Sequence, residues 1–220
     1  MVDDRKPLTN KDATNFTEIF ALLTLKLLFP DLYGLLAHKD RPDIIDITNN
    51  IGIEVTQGVS STMAAARHEW RLSLEETDPI KKAIRHKKMK KYGEPFQGRI
   101  QGWSRPLVTR ENILHAIKKK AGKFSSYNMD VIDLFVDTDF AYSVDKRELD
   151  EIGTDIQEKL QSLNIKYRYI YIITTNFLFQ FNINSQTFKI VSYPSSKQTE
   201  VGFDVRKIIF KSKSSTLKPQ

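Results

Sequence analysis

The sequence predicts an α/β fold, a mixed central sheet flanked by helices, in one domain spanning residues 1–220. Helical and strand-like patterns alternate along the chain, which is the order of a sheet covered by helices. The most apolar strand pattern, Val131-Ile-Asp-Leu-Phe-Val136, lies between two helical patterns and is expected at the centre of that sheet. With 220 residues, 40% of them hydrophobic and 28% charged, the chain can bury a core without disulfide or metal staples.

The elements follow in order. Phe16, Ile19, Phe20, Leu23, Leu27 and Leu28 recur at helical spacing, so Thr14–Phe29 reads as a helix that Pro30 stops. Leu32–Ala37 reads as a short strand. Asp43–Thr48 and Ile51–Val55 are β-branched and apolar around Asn49-Asn50, the pattern of a hairpin. Ser61–Glu76 contains good helix formers, and Asp78-Pro79 breaks it. Gly93, Pro95, Gly98, Gly102 and Pro106 predict an irregular connection over Tyr92–Pro106. Glu111–Phe124 and Arg147–Leu163 are helical, each with an apolar stripe. Tyr167–Ile173, Phe177–Ile183 and Thr187–Val191 are further strands, and Lys211–Gln220 reads as a polar tail.

Composition narrows the chemistry. Lys and Arg number 34 against 27 Asp and Glu, and the net +7 suits a polyanionic partner such as nucleic acid. The absence of cysteine excludes disulfides, thiolate metal sites and a cysteine nucleophile. No phosphate-binding loop, dinucleotide fingerprint or serine-hydrolase elbow is present, and His38, His68, His86 and His115 lack zinc-site spacing. No apolar run reaches membrane-spanning length, and the polar start Met1-Val-Asp-Asp-Arg-Lys predicts a cytoplasmic protein.

The most informative stretch is residues 41–57. A two-residue turn at Asn49-Asn50 would set Ile45 opposite Glu54 and Asp43 opposite Thr56. Asp43, Ile45, Glu54 and Thr56 then share one face, with the two acids at diagonal positions roughly 7 Å apart. Asp46 falls on the other face. Two neighbouring carboxylates repel unless a cation lies between them, and Mg²⁺ takes one or two carboxylates plus waters. The alternative is a solvent-facing hairpin with two unrelated acids.

Pro42-Asp43, ten intervening residues and Glu54-Val55-Thr56 resemble the PD-(D/E)XK motif of the restriction-endonuclease-like nucleases. The order helix, short strand, hairpin, helix, strand resembles their αβββαβ core over residues 14–137, with residues 60–109 as a basic insertion and extra strands after the core. The resemblance implies a nuclease in which Asp43, Glu54 and the Val55 backbone carbonyl hold Mg²⁺, for which Mn²⁺ can substitute. It also implies a DNA partner before RNA and leaves room for a homodimer. The motif lysine is replaced by Thr56, so activity depends on a substitute. Lys120 continues the helical stripe of Ile113, Ile117 and Phe124 and is the candidate. A snorkelling lysine at the stripe's edge is the other reading. Lys118 and Lys119 read as solvated, Gln57 as structural, and Glu18 as a surface acid or an addition to the site.

Lys81, Lys82, Arg85, Lys87, Lys88, Lys90 and Lys91 form the basic run of the insertion, flanked by Trp70, Tyr92, Phe96 and Trp103. These residues either grip phosphates and stack on bases or form a solvated helix face with aromatics packed beneath. A non-catalytic nucleic-acid-binding or inhibitory protein on the same scaffold is the alternative function.

Overall fold

The computed structural model describes residues 8, 10–91, 94–96, 99–101, 110–122, 129–138, 146–163 and 165–216. Strands β1 (Leu36–His38), β2 (Ile44–Asp46), β3 (Ile51–Gln57), β6 (Val131–Asp137), β7 (Tyr169–Ile173), β8 (Phe177–Asn182) and β9 (Thr187–Ser192) form a seven-stranded sheet in the order β1-β2-β3-β6-β7-β8-β9. The β3–β6 and β6–β7 pairs are parallel and the rest antiparallel, so the sheet is mixed. The apolar strand β6 is the fourth of the seven, as its all-buried middle requires.

Alternation divides the strand residues between two cores. Ile51, Ile53 and Val55 of β3 pack with Phe135 and Tyr171 beneath α1 (Asn10–Leu28) and α6 (Ser195–Thr216). Ile132, Leu134 and Val136 face the other way, under α4 (Arg110–Ala121) and α5 (Lys146–Gln161). Glu54 lies between Ile53 and Val55 in sequence and therefore points to the α4 side.

The region expected to be an insertion holds α2 (Ser61–Glu75), α3 (Pro79–Lys90) and the hairpin β4 (Glu94–Phe96)–β5 (Arg99–Gln101). The hairpin corrects the expected irregular connection over part of its length. Asp78-Pro79 ends one helix and starts the next: Asp78 caps α3 by accepting from the Ile80 and Lys81 N–H groups, and Pro79 fits the first turn.

Three further expectations need correction. The first strand is only Leu36–His38, because Leu32 and Tyr33 donate their N–H groups back to Phe29 and prolong the helix-ending turn. The hairpin turn is four residues long rather than two, since Asp46 accepts from the N–H groups of Thr48 (3.0 Å) and Asn49 (3.2 Å) and only Asn50 takes positive φ. Finally, α6 runs to Thr216 through most of the expected polar tail. Val201, Val205 and Ile209 are buried against α1, at helical spacing, and carry the helix up to its Ser- and Lys-rich last turns.

Candidate active site

The observed hairpin register sets Ile44 opposite Ile53 and Ile45 opposite Gly52. Extended by one pair, it sets Asp43 directly opposite Glu54. This is a two-residue slip from the expected register, and an even slip leaves every side chain on its face. Asp43, one residue before β2 and outside the ladder, remains beside Glu54 on the α4 side, where Lys120 reaches both.

Local sequence fixes Asp43 there. A Cβ on Gly52 would come 2.8 Å from Pro42 Cγ, so only glycine lets the proline ring settle onto β3 beside Asp43. The Asp43 carboxylate then accepts the Val55 N–H at 2.7 Å. In a strand, N–H and C=O of one residue point to the same edge, so the Val55 carbonyl shares the edge that Asp43 occupies.

Lys120 enters from α4. Ile113, Ala116 and Ile117 bury one side of this helix, and Lys120 continues that side in its last turn, whereas Lys118 and Lys119 are exposed. The helix lies close to the end of β3 because Gly58 has no side chain; a Cβ there would meet Ile113 Cα at 3.4 Å and Val136 Cγ1 at 3.0 Å. Arg110 ties the start of α4 to Asp155 of α5 at 2.8 Å. The Lys120 ammonium donates to Glu54 Oε2 and lies 3.6 Å from Asp43 Oδ2. The Glu54 side chain is 3% exposed, Asp43 16% and Lys120 22%, so among the described residues Glu54 is buried and the other two keep limited contact with solvent.

Burial pushes the Asp43 carboxyl above its ordinary value, and the charges of Glu54 and Glu18 add to it; the Val55 N–H and Lys120 pull it down. Glu18 therefore lies near the cluster, but its partner is His38, with Nε2 2.5 Å from Glu18 Oε2. That pairing joins α1 to β1 and has no signal in local spacing. Thr56 shares the face of Glu54 and is half-buried. Gln57 points to the opposite face and donates to Thr17 Oγ1 of α1 at 3.2 Å.

Among the described residues, no three Asp, Glu or His side chains gather as a metal cluster. Two carboxylates and a backbone carbonyl on one edge nevertheless match what Mg²⁺ takes from proteins, since it retains several waters.

The basic run is sorted by α3. Arg85 faces α2 and pairs with Glu69 (3.3 Å) and Glu76 (3.5 Å), and Lys88 lies 3.7 Å from Glu69. Trp70 packs on Ala66 and Met89 beneath the helix rather than offering a stacking face. Lys81, Lys82, Lys87, Lys88, Lys90 and Lys91 are exposed. Tyr92 and Trp103, and the side chain of Phe96, lie outside the described residues. The α2–α3 arm follows Gln57, the last residue of β3, three residues beyond Glu54 in sequence. No helix among the described residues is long and apolar enough to cross a membrane. No protein-family model, curated protein or solved structure matches this chain.

Proposed function

We propose that this protein is a metal-dependent nuclease hydrolysing phosphodiester bonds, in DNA before RNA, on a restriction-endonuclease-like scaffold. The observation that carries the reading is the meeting of Lys120 with Glu54 and Asp43. Asp43 and Glu54 come from one hairpin, Lys120 from a helix 66 residues beyond Glu54. Two acids and a lysine in one partly open recess form the set that phosphodiester hydrolysis needs. The order α1, three antiparallel strands, α4 and parallel β6 also supports the scaffold.

In this reading Asp43, Glu54 and the Val55 carbonyl hold Mg²⁺ or Mn²⁺. When bound, such an ion polarises phosphoryl oxygens and acidifies its water. Lys120 donates to the attacking water and balances the negative charge that builds on the phosphate. Thr56 offers a hydroxyl on the same face but no charge, which leaves the lysine's role to Lys120. The exposed lysines of α3 hold the phosphate backbone beside the recess, without sequence preference.

The test is cleavage of duplex and single-stranded DNA and RNA with Mg²⁺ or Mn²⁺, paired with thermal melting. Asp43→Asn and Glu54→Gln abolish cleavage in folded protein. Lys120→Met lowers single-turnover rates by at least about 10²-fold, and exposed Lys119→Met costs little. Full activity in either carboxylate variant removes the site. A wild-type chain that binds DNA at low salt yet cleaves nothing with either ion establishes the non-catalytic alternative, to which Thr56 in the motif position would then belong.

A further inference from the structure

The contact between Lys120 and the two acids has a consequence for metal uptake. Glu54 is almost wholly buried beside Asp43, and neighbouring carboxylates in such a place require a cation. Lys120 is that cation, with its ammonium on Glu54 Oε2 and 3.6 Å from Asp43 Oδ2. Among the described residues, no other side-chain cation pairs with either acid. A divalent ion held by the same two carboxylates meets the lysine twice: the ammonium occupies an oxygen the ion needs, and its charge repels the ion at close range.

We infer that Lys120 is an internal competitor of the metal, a tethered counter-ion that must swing off Glu54 before a divalent cation can bind Asp43 and Glu54. The inference rests on the nuclease reading of this site. It adds a regulatory property: the lysine that serves the attacking water also keeps metal affinity low, so the site loads only when divalent ion is abundant. Lys120 is suited to such movement. It lies in the last turn of α4, its side chain is 22% exposed, and its unbranched stem can carry the ammonium toward solvent. Removing the charge therefore strengthens metal binding even as it slows the reaction, whereas loss of an ordinary supporting residue weakens both.

The experiment is calorimetric titration of the full chain with Mn²⁺, without nucleic acid, on wild type, Lys120→Met, Lys120→Arg and the double variant Asp43→Asn/Glu54→Gln. Lys120→Met is expected to bind Mn²⁺ about tenfold more tightly or better. Lys120→Arg, which keeps the charge, stays near the wild-type affinity. If Lys120→Met does not fold, Lys120→Gln takes its place, with a polar side chain of similar reach and no charge. The double variant is expected to lose the binding event. If it loses the event but the uncharged variants bind no more tightly than wild type, the competitor role is overturned while the site stands. If it binds as wild type does, the site reading itself fails and takes this inference with it.

Discussion

Two carboxylate clusters lie back to back on the sheet, one strand and one residue apart. Asp133 of β6 is level with Ile53 and points to the α1 side, whereas Glu54 is level with Leu134 and points to the α4 side. Asp133 is fully buried and accepts four hydrogen bonds: two from Arg168 (3.1 and 2.6 Å), one from the Tyr33 hydroxyl (2.7 Å) and one from the Tyr169 N–H (3.0 Å). The network continues through Tyr171, whose hydroxyl lies 2.9 Å from that of Tyr33 and accepts from Gln180 at 3.1 Å. A carboxylate has about four acceptor positions, so Asp133 has none to spare. Among the described residues, Glu54 takes only Lys120 as a donor, and Asp43 takes only the Val55 N–H besides its ion pair. Similar burial thus has two meanings. A saturated carboxylate holds structure together, and one left with free lone pairs and some contact with solvent can take a ligand.

The largest expected effect tests the saturated cluster. Asp133→Asn leaves the Arg168 guanidinium facing an amide and disturbs the bonds that fasten the Tyr33 turn to β6 and β7. Removing one partner of a buried pair costs about 3–5 kcal/mol, and the partial exposure of Arg168 sets this case near the lower end, about 3 kcal/mol. Urea unfolding measures it. Glu54→Gln in the same assay is expected to change stability far less, because it relieves repulsion from Asp43 as well as removing the ion pair. Equal losses in the two variants would erase the distinction between a saturated acid that holds the fold and one with lone pairs to spare.

The same contrast explains what can be read from sequence. Glu54 and Lys120 are legible because each lies on a periodic element: alternation gives the strand face, and the i, i+4, i+7 stripe gives the helix side; Asp43, in the bend just before β2, follows from continuing the hairpin register. The turn at Asp46 is longer than Asn49-Asn50 predicts, but the difference is an even slip and does not move the acids to the other face. The Asp133 cluster is not legible. Its members, Tyr33, Asp133, Arg168, Tyr171 and Gln180, come from a turn and from strands far apart in sequence, and no short-range pattern joins them. The pairing of Glu18 with His38 is hidden for the same reason. Helix α6 carries a stripe at helical spacing, Val201, Val205 and Ile209, that the sequence does show; only its last turns, Lys211–Thr216, are Ser- and Lys-rich and give no such signal.

A smaller effect is expected on the arm beside the open cluster. Arg85 resembles Asp133 in being held by partners, while Lys81, Lys82, Lys87 and Lys91 stand exposed. Replacing these four lysines by Ser is expected to weaken DNA binding uniformly across sequences. It also lowers the slope of log affinity against log salt, by about 0.9 for each duplex phosphate that is no longer neutralised. Arg85→Gln instead loosens the α2–α3 packing, seen as a lower melting temperature with the salt slope retained. An unchanged slope in the lysine variant would make the run a solvated face.

The smallest effect concerns the proton of buried Asp43; burial raises the carboxyl of saturated Asp133 as well. Burial, with Glu54 and Glu18 adding to it, raises the folded-state Asp43 carboxyl above its unfolded value. Folding therefore tightens the hold on that proton. The resulting stabilisation is complete below the unfolded aspartate range and is lost as pH rises through the higher folded-state value. Asp43→Asn has no such proton to lose. In chelator, to exclude stray divalent ions, the melting temperature of wild type should fall relative to Asp43→Asn as pH rises across that window. Glu18→Gln removes one of the charges that raise Asp43, so its curve is expected between the two. Parallel curves for wild type and Asp43→Asn would mean that Lys120 and the Val55 N–H already offset the burial of Asp43.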